Sequence, residues 1–149
     1  MNRLLKCGIA LALPLAAGLI GSLFTAPEIP TWYVTLMKPS FSPPNWLFAP
    51  VWTGLYILMG IAFYRIWSRN GSTALFSIHL IVNVLWSFLF FGLHSPLLGL
   101  LDIVILLTMI VTLILQFYKT DRTAAFLLVP YAAWVMFATV LNFAIWRLN

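Results

Sequence analysis

Residues Leu97 to Tyr118, "LLGLLDIVILLTMIVTLILQFY", hold one charged side chain, Asp102, in a run otherwise apolar enough for hydrocarbon. A helix rises about 1.5 Å per residue, so a run of this length crosses the roughly 30 Å core of a bilayer. Helices satisfy their own backbone hydrogen bonds there. The strands of a membrane barrel would alternate apolar and polar residues, and this run does not alternate. Four comparable runs accompany it: Leu5 to Thr25, Asn45 to Trp67, Thr73 to Leu93 and Thr123 to Trp146. The pattern predicts an all-α integral membrane bundle of five transmembrane helices in one domain, residues 1–149. Helices are expected near 5–25, 45–67, 73–93, 97–118 and 123–146, with a long, proline-rich loop at 26–44.

Composition agrees. Hydrophobic residues make up 63% of the chain and charged residues 7%, far below the roughly 25% that clothes a soluble domain. Mean hydropathy is +1.03. Cys7 is the only cysteine, which excludes an internal disulfide and a cysteine-cluster metal site. The net charge of +5 comes from Lys and Arg scattered at helix ends, not from a nucleic-acid-binding patch. Short links, "SRNGS", "HSP" and "KTDR", make consecutive helices antiparallel neighbours from the second onward. The first run resembles a secretory signal, but Phe24 stands where the cleavage site "FTA" wants a small residue, so a retained helix is expected. Arg3, Lys6, Arg65, Arg69, Lys119 and Arg122 fall on one side of the membrane, Lys38 and Arg147 on the other. That imbalance places the N-terminus in the cytoplasm of a bacterial cell and the long loop outside.

Among hydrophobic neighbours the polar and aromatic residues carry the information. Phe48, Trp52 and Tyr56 share one face of the second run, and His79, Asn83, Trp86 and Phe90 one face of the third. Tyr131, Trp134, Ala138, Leu141 and Asn142 recur at helical spacing in the fifth. Trp46, Trp67, Tyr118 and Trp146 lie near helix ends and read as interfacial belts. Trp52, Trp86 and Trp134 sit deeper, and a buried indole N–H needs a partner. Two readings stay open: interhelical hydrogen bonding to Asn83 and Asn142, or an aromatic wall around a flat apolar ligand. Asp102 is expected to be stabilised near the start of its helix or paired with His94, Lys38 or Arg147, with proton coupling as the alternative. His79 has no carboxylate at nearby helical spacing, which argues against a metal site. Pro96 suits a first helical turn, whereas Pro14, Pro50 and Pro130 are expected to free carbonyls and bend their helices, leaving a cavity. Gly8, Ala12 and Ala16 form a small-residue ridge on the first run.

The loop and the first turns of the second run, "WYVTLMKPSFSPPNWLFAPVWTGLY", resemble the signature of the translocator protein family. The family is also called TspO or tryptophan-rich sensory protein, and its animal members peripheral benzodiazepine receptor. The matching positions are Trp32, Tyr33, Leu36, Lys38, Pro39, Pro43, Pro44 and Trp52. The resemblance continues in order through "NVLWSFLFFG", "LLD" and "VPYAAW…LNFAIWRLN" over essentially the whole chain. It implies a five-helix bundle, often dimeric, that binds tetrapyrroles such as protoporphyrin and haem as ligands rather than cofactors. Isoquinoline- or benzodiazepine-type ligands and sterols are bound by some members. It further implies a pocket under the loop, with Trp52, Asn83 and Trp134 against the ligand. The sterol pattern of the last helix usually has a tyrosine where this chain has Phe143, which counts against sterol.

On this reading the loop is a lid. Ser42 would cap the second helix, the prolines would stiffen the approach, and Trp32 and Tyr33 would lie over the bundle mouth. Lys38 would meet a ligand carboxylate. The expected site is Trp32, Tyr33, Lys38, Pro44, Phe48, Trp52, Tyr56, Asn83, Trp86, Phe90, Tyr131, Trp134, Ala138, Leu141 and Asn142, with no catalytic or metal-ligating residue. The function implied is non-catalytic tetrapyrrole binding with a role in transport or stress regulation. The alternatives are light- or oxidant-driven porphyrin degradation and proton-coupled export through Asp102.

Overall fold

The computed structural model describes residues 1–149 and contains helices and no strands. Helix α1 is Arg3–Thr25, α2 is Phe48–Ser68 and α3 is Ala74–Ser87. Helix α4 is Pro96–Thr120, α5 is Arg122–Leu127 and α6 is Val129–Leu148. A 3₁₀ turn, Asn45–Leu47, leads into α2, and a π turn, Phe88–Gly92, extends α3. Together these make five spans of 19 to 27 residues, each long and apolar enough to cross a bilayer, with α5 and α6 sharing the fifth.

Local chemistry sets the helix ends. Asn2 Oδ1 accepts the Leu4 N–H at 3.2 Å and starts α1. Ser95 Oγ accepts the Leu98 N–H at 3.2 Å, and Pro96 fills the first turn of α4, where no N–H is needed. Asp121 ends α4 and caps α5 by accepting the N–H groups of Thr123 and Ala124. Asn70 takes the left-handed backbone, φ 56°, that closes the end of α2.

The second span departs from expectation. Pro44 in extended backbone occupies the cap position and no side chain caps the turn, so Ser42 is not the cap. Two prolines also act differently from the expected bend. Pro50 is the third residue of α2, within the first turn, and the preceding residues are 3₁₀ rather than a bent α-helix. Pro130 stands in the first turn of α6, and the fifth span is interrupted just before it, at Leu128. The missing N–H of proline thus sits at element starts in both cases, where it costs least.

Helix α1 packs on α2 and α3, while α4 packs on α3, α5 and α6. The half of the bundle away from the long loop is filled solid by Met59, Phe76, Ile110, Phe117, Leu128 and Tyr131, each fully buried. Outside, large apolar side chains such as Leu19, Leu23, Ile81, Leu115 and Phe126 are more than half exposed. In water so much apolar surface would drive aggregation; around a bilayer-length bundle it is the face that meets lipid. The protein is an integral multi-pass membrane protein. Gly8, Ala12 and Ala16 lie on this outer surface of α1.

Candidate functional site

On the loop side of the solid core lies a cavity of about 240 Å³ to which all five spans contribute. Helix α2 supplies Phe48, Trp52 and Tyr56, the three aromatic residues spaced by one turn. The third span supplies Asn83, Trp86, Ser87, Phe90 and Phe91, and α4 supplies Ile103 and Leu106. Trp134, Ala138, Leu141, Asn142 and Ile145 come from α6. Gly18, Gly21, Ser22 and Thr25 of α1 complete the wall, with Ala26, Ile29 and Tyr33 of the loop and Asn45 and Ala49 at the head of the second span.

The aromatic rings hold one another in place. Trp52 stacks on Tyr56 with centroids 5.5 Å apart and meets Tyr131 edge-on at 6.2 Å. Phe48 meets Trp134 edge-on at 6.1 Å. Two amides then tie the helices together behind the rings. Tyr56 donates to Asn83 Oδ1 at 2.7 Å, and Asn83 Nδ2 donates to the Tyr131 hydroxyl at 2.9 Å, joining α2, α3 and α6. Trp86 Nε1 donates to Asn142 Oδ1 at 3.0 Å, and Asn142 Nδ2 donates to the Pro96 carbonyl at 2.8 Å. Of the two readings of the aromatic faces, the interhelical amide bonding is present, and a void remains between the walls it holds. In a low-dielectric interior such satisfied networks fix side-chain geometry strongly.

Three buried polar atoms have no partner: Trp134 Nε1, His79 Nε2 and Asp102 Oδ2. His79 Nδ1 donates to the Phe76 carbonyl at 2.6 Å, which leaves Nε2 as a lone-pair acceptor. Asp102 is 5% exposed and forms no ion pair, so the expected pairing with His94, Lys38 or Arg147 is not present. Each of those groups is engaged elsewhere: His94 with Glu28, Lys38 with backbone carbonyls, and Arg147 over the Trp146 ring.

Of the residues expected at the site, eleven line the cavity: Tyr33, Phe48, Trp52, Tyr56, Asn83, Trp86, Phe90, Trp134, Ala138, Leu141 and Asn142. The other four do not. Tyr131 is fully buried behind Trp52 and Asn83. Pro44 serves as the backbone cap of the second span. Trp32 lies outside the wall, flat against His94 and edge-on to Phe90 and Phe91. Lys38 points back at its own loop, its Nζ donating to the carbonyls of Tyr33 at 2.7 Å and Leu36 at 3.3 Å over the Tyr33 ring. Tyr33 itself is 3% exposed; burial pushes its phenol above the usual range, opposed by the Ser42 hydroxyl.

The contribution of α1 went unread in the sequence. Gly18, Gly21, Ser22 and Thr25 recur at i, i+3, i+4 and i+7, a stripe of small and hydroxyl residues that marks an inward face. A Cβ on Gly18 would stand 2.5 Å from the Tyr56 ring, so the missing side chain lets α1 close against the aromatic wall.

A profile of the TspO/MBR family matches residues 10–147 of the chain. The chain is 46% identical to the tryptophan-rich protein TspO of Chlorobaculum tepidum, over 100% of this chain and 99% of that one. It is also 46% identical to the protein of the same name from Archaeoglobus fulgidus, over 99% of each. Similarity extends to the translocator protein of Bos taurus, 34% identical over 92% of this chain and 86% of that one. Five apolar spans, an aromatic cavity beneath the first long loop, and similarity along nearly the full length converge on one assignment: the chain belongs to the TspO/MBR family.

Proposed function

We propose that this protein is a membrane receptor or translocator that takes flat, apolar ligands, tetrapyrroles such as protoporphyrin and haem foremost, into the cavity between its five spans. Isoquinoline- and benzodiazepine-type molecules belong to the same ligand class. The observation that carries the reading is the wall itself: indoles and phenyl rings from α2, the third span and α6 face a void inside a membrane bundle. Pockets that take small organic ligands are mostly apolar with a few placed polar groups. Here Asn83 and Asn142 are held rigid, and the Trp134 N–H is a buried donor without an acceptor. Two bovine and bacterial names, translocator protein and tryptophan-rich protein TspO, fit movement or binding of a ligand by such a bundle. The distribution of Lys and Arg supports an orientation with the N-terminus in the cytoplasm and the loop outside. Pairing of two copies is part of the same proposal.

The test is a protoporphyrin titration followed by quenching of tryptophan fluorescence. A stacked ring is worth about 0.5–1.5 kcal/mol beyond the area it buries, so Trp52→Ala and Trp134→Ala should each weaken binding about tenfold. Affinities equal to that of the unaltered protein would refute the assigned site.

A further inference from the structure

Besides the packing of Trp32 and Tyr33 on Phe90 and Phe91, polar contacts hold the loop over the cavity at two places outside the cavity wall. At the first, His94 Nε2 donates to Glu28 Oε2 at 2.8 Å, and the Thr31 hydroxyl donates to the same oxygen at 3.4 Å. The Trp32 indole lies flat on the same imidazole, with centroids 4.6 Å apart and planes 9° apart. His94 belongs to the short link between the third span and α4 and takes φ 51°, a left-handed backbone that few non-glycine residues adopt. At the second place the Asn149 amide pairs with Met37 as a backbone would: Oδ1 accepts the Met37 N–H at 3.0 Å and Nδ2 donates to its carbonyl at 2.9 Å.

The first fastening bears directly on the cavity. Glu28 and Trp32 each immediately precede a loop residue of the wall, Ile29 and Tyr33. Moving either wall residue outward moves its neighbour away from His94. The cavity, about 240 Å³, is also smaller than the roughly 300–1,000 Å³ typical of ligand pockets. A tetrapyrrole needs more room than this, so part of the wall must move outward to admit one, and the loop supplies Ala26, Ile29 and Tyr33 to that wall.

We propose that His94, gripped by Glu28 and Trp32, is the latch that holds the loop shut, and that its release is the gating step for ligand entry and exit. The proposal rests on the cavity being a ligand site, but the latch can be observed without any ligand. His94 is half exposed and Glu28 about a quarter, so the pair is weak enough to open readily. The Asn83 amide, which makes a structural cross-link, is buried by contrast, 4% exposed.

The experiment uses the full chain in lipid nanodiscs with two single variants and their double. Glu28→Gln removes the charge, and His94→Asn removes the ring while keeping a residue that tolerates left-handed backbone. Protoporphyrin is mixed by stopped flow and binding is read by tryptophan quenching. Association and dissociation rates should both rise about two- to fivefold, with Kd within about twofold of the unaltered protein. The double variant should be no faster than the faster single, because both changes open one latch. Unchanged rates in both singles, or effects that multiply in the double, would overturn the latch. A loss of affinity without faster rates would also overturn it, by assigning these residues a merely structural role. Hydrogen exchange of residues 26–44, measured without ligand, should be faster in both variants. Equal exchange overturns the latch whatever protoporphyrin does, whereas faster exchange with no protoporphyrin binding to the unaltered protein would retain the latch and sink the ligand reading.

Discussion

Asp121 organises the end of the bundle opposite the loop. Its side chain is 2% exposed, and Oδ2 lies 2.9 Å from Arg65 Nε and 3.1 Å from Arg69 Nε. Oδ1 accepts the N–H groups of Thr123 at 2.9 Å and Ala124 at 3.3 Å. Burial alone would push this carboxyl up. The Arg65 hydrogen bond, the Ala124 N–H and the charges of Arg65 and Arg69 outweigh it and hold the group below the usual carboxylate range. A carboxyl depressed in the folded state stabilises fully above its unfolded pKa and loses that contribution as pH falls through the folded value. Asp121→Ala should therefore lower stability by about 1–2 kcal/mol at neutral pH, most of it from the lost helix cap. The gap between variant and unaltered protein should narrow on acidification, as the charge-dependent part is lost while the carboxyl can still cap the helix, read by thermal unfolding in detergent between neutral pH and strong acid. A gap independent of pH would mean that the charge contributes nothing. Asp102 makes the contrast at the same scale: it is buried and has no cation partner. The membrane side it shares with His94, Lys38 and Arg147 suggested a pairing, but each of those groups is engaged elsewhere.

Between elements, the close approach of α1 to α2 depends on glycine. A Cβ on Gly60 would meet Leu11 Cδ2 at 2.8 Å and the Leu11 backbone at 2.9 Å, and one on Gly18 would meet the Tyr56 ring at 2.5 Å. Tyr56 cannot simply turn aside, because its hydroxyl is bound to Asn83. Gly18→Ala should thus cost about 1–3 kcal/mol by overpacking and weaken protoporphyrin binding by shifting Tyr56. Gly8→Ala is the matched control: a Cβ there meets nothing within 4 Å. Both changes gain the same helix propensity, up to about 1 kcal/mol, so the difference in their melting temperatures isolates the clash. Equal behaviour would show that α1 does not approach the aromatic wall this closely. The glycine pattern of α1 was visible in the sequence, yet the ridge of Gly8, Ala12 and Ala16 faces outward while Gly18 and Gly21 face the cavity. One helix can carry two small-residue stripes, and only the position of its neighbours selects the packed one.

For the molecule as a whole, the charge distribution makes orientation testable. In a Cys7→Ala background, Ser40→Cys in the loop should react with a membrane-impermeant thiol reagent added to intact cells. Asn70→Cys, beyond α2, should react only after the membrane is opened. The reverse pattern would overturn the proposed orientation. The five-helix architecture was legible in the sequence because a bilayer imposes one length and one composition on every span, and a run either meets them or does not. The aromatic faces of the second, third and fifth runs were legible for a similar reason, since helical periodicity alone places residues on one side. What periodicity leaves open is which face meets which, and whether the meeting is filled or hollow. Tertiary structure alone decided that Asn83 bridges Tyr56 and Tyr131, and that Trp86 finds Asn142. It alone turned Lys38 back onto its own loop and set Trp32 on His94. The sequence by itself determined the solvent, the number of spans and their inward candidates, because those depend on transfer energy and helix geometry residue by residue. The cavity and the closure of its loop depend on distances between residues far apart in the chain, and no local term contains them.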